Sequence, residues 1–253
     1  MTINSPTPAQ VPQLRSLWQE AFGDTEEFLD IFQAKAMSAD RCRCVTVDGE
    51  VAAALYWFDC LHMGKRIAYL YAVATAKKHR GKGLCHALME NTHQWLREHD
   101  YAGAILVPQS EDLFRFYGKM GYETCSQVKE FVCGPVLDLC TLHRIDRDAY
   151  GKLRRQLLPA GGVIQEQENL DFLEAQAQFY AGTGFVLAAY REKDVLRGIE
   201  LLGDTMAAPA IVGALGCTQG KFRCPGPGTP FAMYRPLGDS TLPAPAYFGL
   251  AFD

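Results

Sequence analysis

The chain has 253 residues, 48% of them hydrophobic and 21% charged, which is ordinary for a globular protein of one large domain or two smaller ones. Its formal net charge of −4 argues against a nucleic acid as a bulk partner, because a polyanion would not be attracted. Residues 1–10 contain no apolar leader, and the longest apolar runs, such as 51–58, are too short to cross a bilayer. We therefore expect a cytoplasmic protein without membrane contact.

The first part of the chain predicts two helices followed by three strands. Residues 11–22 carry apolar side chains at the spacing of one helix face, and residues 24–27 give a capping signal for a second helix. An apolar hairpin is expected over 43–58, folded around the turn at 48–50. A third strand follows at 67–75.

The segment 80–83, with the sequence Arg-Gly-Lys-Gly, is the most informative part of the chain. It lies between the strand at 67–75 and an amphipathic helix predicted over 84–98. Glycines tolerate positive φ and let a ligand approach the backbone, and the N–H groups of a helix N-terminus beside cationic side chains suit a pyrophosphate. Neither common phosphate loop fits, because a Walker loop needs Ser or Thr at Gly83 and the dinucleotide fingerprint needs glycine at His86.

A second recognisable segment lies about thirty residues further along the chain, well within the length of a single domain. A buried strand is predicted at 102–107, then a short helix from Leu113 that ends at Gly121 and is followed by Tyr122. Another strand is predicted at 128–133.

These two segments, in this order and separation, resemble the GNAT superfamily of acyl-CoA-dependent N-acetyltransferases. In that family an R/Q-x-x-G-x-G/A turn holds the CoA pyrophosphate, and a later helix carries a Tyr-x-x-x-Gly-aromatic pattern. The matching residues are Arg80, Gly83 and Cys85 in the turn and Tyr117, Gly121 and Tyr122 in the helix. Cys85 replaces the usual small residue, Phe114 stands where alanine is usual, and Ser110 stands where the family often has asparagine.

The resemblance implies an α+β fold, an α/β sandwich in which a central mixed, mostly antiparallel sheet is flanked by helices. It also implies that acetyl-CoA, as cosubstrate, lies in a notch between the strands at 67–75 and 102–107, with its pantetheine arm along 73–75. A backbone N–H near Val73 would polarise the thioester, and Tyr117 would be the general acid, although an aromatic packing role is the alternative. The implied cofactor-binding residues are Val73, Ala74, Thr75, Arg80, Gly81, Lys82, Gly83, Leu84, Cys85, Ser110, Phe114 and Tyr117.

No general base can be assigned from the sequence. Asp59, His62 and Glu123 are candidates within reach in such a lobe, although each is more often a surface group. The apolar run at 246–252 predicts a packed final strand. The two carboxylates of Asp253 could then lie near a cleft between the lobes, although a packed terminus more often serves stability alone.

The second half of the chain resembles a weakened copy of the first. The run 168–175 resembles 26–34, and each is followed by an apolar hairpin with a charged turn, at 184–202 in the second half. We therefore predict a GNAT acetyltransferase domain over 1–136 and a smaller, degenerate GNAT-like domain over 137–253. The segment 203–209, where a basic turn would fall, has an acid and no base, so one CoA site per chain is expected.

The nine cysteines are odd in number and include no C-x-x-C pair, so the sequence predicts no metal. His93 and His99 are placed on the helix that follows the glycine turn and are predicted to be solvated and not to bind a metal. The expected activity is acetyl transfer from acetyl-CoA to a primary amine by direct attack in a ternary complex. A non-catalytic acyl-CoA sensor and transfer of a longer acyl group are alternatives, and the acceptor (amino acid, polyamine, antibiotic or protein lysine) and a homodimer are left open.

Overall fold

The computed structural model describes residues 1–137, 140–238 and 242–252. Helices and strands alternate through these residues, and the predicted α+β class is confirmed. The helices are α1 (Val11–Phe22), α2 (Glu26–Lys35), α3 (Leu84–Glu98), α4 (Glu111–Gly118), α5 (Arg147–Leu157), α6 (Glu168–Glu174) and α7 (Ala208–Ala214). The strands are β1 (Thr2–Asn4), β2 (Cys42–Val47), β3 (Glu50–His62), β4 (Lys65–Thr75), β5 (Gly103–Leu106), β6 (Glu123–Cys133), β7 (His143–Ile145), β8 (Ile164–Gln165), β9 (Gln178–Gly182), β10 (Phe185–Glu192), β11 (Val195–Gly203), β12 (Gln219–Pro225) and β13 (Thr229–Pro236).

Within the described residues the strands form one sheet, in the order β1-β2-β3-β4-β5-β13-β6-β12-β11-β10-β9-β7, and β8 pairs with β3 beside that path. The pairs β4–β5 and β11–β12 are parallel, and the remaining ladders are antiparallel. The predicted mixed, mostly antiparallel sheet is therefore confirmed.

The strand order reads in the same way from both ends of the sheet. Each half supplies a parallel strand–helix–strand unit, β4–α3–β5 in the first and β11–α7–β12 in the second. The last strand of the second half, β13, lies between β5 and β6, while β6 pairs with β12. The two halves thus exchange their final strands, and one sheet runs across the predicted boundary at 136/137. The division into domains 1–136 and 137–253 stays a prediction.

Both faces of the sheet are covered by helices, which explains the nearly continuous apolar sequence of β3. Tyr56 and Phe58 point to the face that carries α1, α2, α5 and α6. Leu55 and Trp57 point to the opposite face, where α3 and α4 pack. On the second half, α7 covers the corresponding face with its own apolar cluster. A strand buried on both faces has no need for polar alternation.

Most of the predicted elements agree with the structure, and three differ. The helices at 11–22 and 84–98 match α1 and α3, whereas β1 was not predicted because three residues carry no readable period. The hairpin at 184–202 exists as β10–β11. The sequence similarity suggested that it corresponds to β2–β3. Because it directly precedes the parallel crossover, its counterpart is β3–β4, one strand later.

The predicted final strand at 246–252 is wrong. Within the described residues the segment makes only an isolated β-bridge, between Gly162 and Tyr247. It is nevertheless buried, with Phe248 and Leu250 inaccessible to solvent, because its backbone bonds to loops and to the Ser126 side chain instead of to a neighbouring strand. The apolar pattern of 246–252 therefore indicates burial of the segment and does not indicate that it pairs as a strand. Asp253 lies outside the described residues.

Candidate active site

A notch opens in the sheet between β4 and β5. The two strands pair only where Ile67–Tyr69 face Gly103–Ile105, and they separate beyond that point. β4 also carries a bulge against β3, since the register shifts between Ala54 and Tyr56, and Ala72 adopts a positive φ of 49°. A bulge re-aims the strand that contains it. The second half of β4 therefore presents an edge that β5 does not cover.

The basic turn has the conformation that its glycines predict. Gly81 and Gly83 have φ values of 74° and 75°, in the left-handed region, and an added Cβ at either would meet no atom within 4 Å. The glycines are therefore required by backbone conformation and not by crowding. Gly83 is the N-cap of α3 and offers no side chain to cap it, so the first-turn N–H groups face outward from the helix.

The cations around this turn are exposed, and some are already engaged. The Nε of Arg80 donates to the carbonyl of Thr75 at 3.1 Å, which ties the turn to the end of β4. Lys78 forms an ion pair with Glu50. Lys82 has no ion pair among the residues that the structure describes. The turn thus keeps a free ammonium beside a helix N-terminus, an arrangement that favours an anion.

A cavity of about 910 Å³ passes through the notch and continues across the inner face of the sheet. At the notch it is lined by Tyr71, Val73, Leu106, Val107 and Tyr117. Its volume lies in the range of ligand-binding pockets, roughly 300–1,000 Å³. The cavity joins the α4 side of the sheet to the side of α1 and α2. Two ligands, one entering from each side, would therefore meet at the notch.

Tyr117 reaches this cavity from α4 and is almost fully buried, with 7% of its surface exposed. Its ring packs against Tyr122, with the ring centroids 5.9 Å apart. Burial raises the pKa of the Tyr117 phenol above its ordinary value. Within the described part of the chain its hydroxyl makes no hydrogen bond, so a protonated phenol is available to a ligand in the notch.

Residues 2–125 match the sequence model of the Acetyltransferase (GNAT) domain family. These 124 of the 253 residues are thus similar to GNAT acetyltransferase domains, the family that the two sequence segments indicated.

Solved structures of GNAT proteins share the arrangement over nearly the whole chain. A GCN5-related N-acetyltransferase from Kribbella flavida superposes with a TM-score of 0.72 at 16% identity, covering 93% of this chain and 71% of that one. A probable N-acyltransferase from Enterococcus faecalis gives 0.71 at 17% identity, covering 93% and 72%. A GCN5-related N-acetyltransferase from Anabaena variabilis gives 0.71 at 16%, covering 94% and 73%. At these identities the likeness establishes the fold, including its two-lobed form.

A search of curated protein sequences gives no match to this chain. Among the described residues, no helix is both long enough and apolar enough to cross a membrane.

The structure brings only some of the predicted site residues of the GNAT domain to the cavity. Val73 and Tyr117 line it from opposite sides of the notch. The remaining residues lie around the turn, along β4 or on α4, and do not line the cavity. They are Ala74, Thr75, Arg80, Gly81, Lys82, Gly83, Leu84, Cys85, Ser110 and Phe114.

Two of these residues have clear local roles. Ser110 is the N-cap of α4, since its hydroxyl accepts from the N–H of Leu113 at 3.3 Å. Cys85 is partly buried against the apolar cluster under α3, and burial raises the pKa of its thiol to about 11. A thiol with that pKa is protonated at neutral pH, which agrees with a packing role and not with a nucleophile.

None of the three candidate bases lines the cavity. Asp59 accepts a hydrogen bond from the Tyr101 hydroxyl, His62 is buried with its Nε2 2.9 Å from the Pro243 carbonyl, and Glu123 is exposed on β6. Among the residues that the structure describes, the carboxylates that line the cavity are Asp24 and Glu130.

Sequence reasoning missed Asp24 because it read residues 24–27 as a helix cap. The structure gives that role to Thr25, whose hydroxyl accepts from the Phe28 N–H. The Asp24 carboxylate instead accepts from the Trp18 Nε1–H at 2.7 Å and faces the cavity. An acidic residue one position before an N-cap is the signal that could have revealed it.

The prediction that His93 is solvated is wrong. The imidazole is fully buried under α3, its Nε2 lies 2.7 Å from the Tyr122 hydroxyl, and its Nδ1 accepts from the Arg235 guanidinium at 2.8 Å. Arg235, on β13, also pairs with Glu90 at 2.6 Å. The exchanged strand of the second half therefore supplies a cation that orders the residues behind Tyr117. His99 is exposed, as predicted, and stacks on Trp95.

We expect His93 to make stability depend on pH. Burial, reinforced by the Arg235 charge, lowers its pKa from 6.5 to about 4. The folded imidazole stays neutral while the unfolded one takes up a proton, so stability is present above about pH 6.5 and is lost as the pH falls toward 4. The free energy of unfolding should drop by about 3 kcal/mol across that window.

Denaturant titrations at several pH values, on wild type and His93→Gln, would measure this contribution. The pH dependence that belongs to His93 is the difference between the two proteins. If the free energy of unfolding fell equally steeply between pH 6.5 and 4 in both proteins, the imidazole would not keep its neutral form in the fold.

Proposed function

We propose that the protein transfers an acetyl group from acetyl-CoA to a primary amine by direct attack in a ternary complex. The observation that supports this most strongly is the cavity that crosses the notch, with the unpartnered hydroxyl of Tyr117 at its wall. A thioester entering from the side of the basic turn would meet an acceptor entering from the side of α1 and α2. The GNAT family match over 2–125 is consistent with the proposal.

In this proposal the pyrophosphate of acetyl-CoA binds at the N-terminus of α3. The turn supplies outward N–H groups, and Arg80 and Lys82 supply charge. The set of residues that would hold the cofactor is the one predicted from the sequence: Val73, Ala74, Thr75, Arg80, Gly81, Lys82, Gly83, Leu84, Cys85, Ser110, Phe114 and Tyr117. No metal ion takes part in the proposed reaction.

The pantetheine arm would run along the uncovered edge of β4. Residues 73–75 lie where β5 has diverged, so an extended ligand can take the place of a strand. A backbone N–H near Val73 would then donate to the thioester oxygen, whose negative charge grows as the tetrahedral adduct forms. The bulge at Ala72 aims this part of the strand.

The chemical step would need one proton to pass from nitrogen to sulfur. The neutral amine attacks the carbonyl carbon, forming the C–N bond, and collapse of the adduct breaks the C–S bond. Tyr117 donates its phenolic proton to the departing thiolate, and the proton released by the nitrogen returns to the phenolate through solvent. Because burial holds the phenol protonated, the acid is present throughout the neutral range.

We also propose a division of labour between residues 1–136 and 137–253. The first part holds the cofactor, and the second completes the sheet and walls the acceptor side of the cavity. Arg197 and Lys221 of the second part line the same cavity as Tyr117.

The double variant Arg80→Ala/Lys82→Ala is expected to weaken acetyl-CoA binding by about tenfold or more, because two charges near the pyrophosphate are lost. Calorimetric titration would measure the change. A matched control is Lys35→Ala/Lys152→Ala, which removes two exposed cations away from the turn and should leave affinity unchanged.

Release of free thiol in the presence of amines would follow on the same proteins. Equal affinity in both double variants would contradict the proposed cofactor site. Tight acetyl-CoA binding with no thiol release from any amine would favour the sensor alternative.

A further inference from the structure

Three cations lie together on the wall of the cavity that the second half provides. Arg197 on β11 stands directly beside Lys221 on β12 in the parallel ladder, and Arg223 follows two residues later. Neighbouring strands are about 4.8 Å apart, and residues two apart on a strand about 6.6 Å. We call these three residues the basic ledge.

The alternation of β12 confirms which way the basic ledge faces. Phe222, between Lys221 and Arg223, is 2% exposed and belongs to the apolar cluster under α7. Successive side chains of a strand point to opposite faces, so its two neighbours point away from α7. All three cations line the cavity that also reaches Tyr117.

Two of the three cations of the basic ledge have a carboxylate partner, and Lys221 has none among the described residues. Arg197 pairs with Glu192 at 2.7 Å, and Arg223 pairs with Glu130 at 3.3 Å while lying over the Phe231 ring. Lys221 has no ion pair or hydrogen bond among the residues that the structure describes. Its register partner on the neighbouring strand β6 is Val132, whose side chain offers no hydrogen-bond acceptor.

Two like charges placed side by side on adjacent strands destabilise a sheet. Arg197 and Lys221 occupy such a pair, and position 221, which is exposed, could hold a neutral residue without loss of packing. A cost of this kind is expected where a ligand brings the missing negative charge.

The opposite end of the cavity suits a cation, whereas the basic ledge suits an anion. Next to the notch it is walled by aromatic rings, with Trp18 and Tyr71 at a centroid distance of 5.6 Å and Phe28 at 6.2 Å from Trp18. The Asp24 carboxylate lies against the Trp18 indole and lines the same wall. Aromatic faces with a carboxylate attract an ammonium group.

We infer that the acceptor is an amine that carries an anionic group, a carboxylate or phosphate, at its far end. Its amine would lie at the aromatic wall beside the notch, and its anion on the basic ledge at Lys221. A polyamine, with cations at both ends, would be repelled from Lys221. This inference rests on the proposed acetyl transfer, and it deepens that function by assigning an acceptor class and a residue that selects it.

Acceptor selectivity tests the inference directly. ω-Amino acids of increasing chain length, and ω-aminoalkyl phosphates, would be compared with ω-amino alcohols of equal length by thiol release. For wild type, kcat/KM should favour the anionic acceptors by about tenfold or more at the best length. Lys221→Gln should remove most of that preference, and Lys221→Arg should retain it. The two anionic series distinguish a carboxylate from a phosphate.

The matched control is Lys129→Gln. Lys129 is an exposed lysine of β6 whose register partner Cys224 is buried under α7, so it lies on the other face of the sheet. This variant should keep the wild-type preference. A wild type that prefers the alcohols, or a preference that Lys221→Gln and Lys129→Gln keep equally, would overturn the inference.

A binding measurement separates this inference from the proposed reaction. Calorimetry with the N-acetylated forms of the same acids and alcohols requires no turnover. Tighter binding of the acids that depends on Lys221, in a protein that does not bind acetyl-CoA, would support the anion site and contradict the acetyl transfer. Acetyl transfer with no Lys221-dependent gain for the acids would leave the reaction standing and overturn the acceptor class.

Discussion

Replacing Tyr117 with phenylalanine is expected to lower kcat by about 10²–10⁴-fold while acetyl-CoA affinity stays nearly unchanged. The variant keeps the ring that packs against Tyr122 and removes only the hydroxyl. That loss corresponds to roughly 3–5 kcal/mol of transition-state stabilisation. Steady-state thiol release gives kcat, and calorimetric titration gives the affinity of the same protein.

The same substitution should leave the fold intact. Because the Tyr117 hydroxyl has no hydrogen-bond partner in the described chain, its removal strands no buried group. The free energy of unfolding of Tyr117→Phe should therefore lie within about 0.5 kcal/mol of wild type. A loss of activity accompanied by a large loss of stability would indicate a packing role.

Tyr122→Phe provides the opposite case in a neighbouring ring. Its hydroxyl lies 2.7 Å from His93 Nε2, and its loss leaves a buried imidazole nitrogen unpaired. We expect this variant to lose about 1–3 kcal/mol of stability and to keep kcat within a few-fold of wild type. If both variants lost kcat equally, Tyr117 would have no special place in the chemistry.

Sequence reasoning succeeded where the signal is local. The bounds of α1 and α3 follow from the apolar period and from the glycine before α3, and the positive φ values of Gly81 and Gly83 follow from residue type. The family resemblance came from two short segments that each fold on their own neighbours. These features require no knowledge of distant contacts.

The features that sequence reasoning missed depend on long-range pairing. β13 inserts between β5 and β6 from more than a hundred residues away, and no local pattern records its partners. That insertion brings Arg235 to His93. The basic ledge likewise exists only because the register places Arg197 beside Lys221. The register therefore matters for the proposed acceptor site, since a one-residue slip of β12 would turn Lys221 to the opposite face.

A buried ion pair joins α5 to β11 in the second half. Arg154 on α5 and Glu200 on β11 are 2% and 0% exposed, and the guanidinium donates to both carboxylate oxygens, at 2.7 and 3.1 Å. The hydroxyls of Tyr150 and Tyr247 each add a hydrogen bond to Glu200 at 3.1 Å. Every oxygen of this carboxylate is thus satisfied, which is the condition under which a buried charge is tolerated.

Glu200→Leu is expected to cost about 3–5 kcal/mol of unfolding free energy, because it leaves the buried Arg154 charge without a carboxylate counter-ion. Glu200→Gln, which keeps an acceptor, should lose less and provides a folded variant if the leucine protein does not fold. The exposed pair Arg155–Glu166 is the control, and Arg155→Ala should cost at most about 1 kcal/mol. Urea titrations would measure all three proteins.

The double variant Arg154→Met/Glu200→Leu shows whether charge or packing dominates this site. If the cost of Glu200→Leu comes from the uncompensated guanidinium, removing that group as well should restore part of the lost stability, and the double-mutant cycle should show a coupling of about 0.5–3 kcal/mol. Simple addition of the two losses would mean that each side chain acts through its own contacts.

The same variants should also loosen the acceptor side of the active site. Tyr247 bonds to Glu200 and belongs to the buried segment 246–252, and this segment lines the cavity through Ala251 and Phe252. A rise in KM for the amine that tracks the loss of stability would connect this ion pair to the shape of the acceptor cavity.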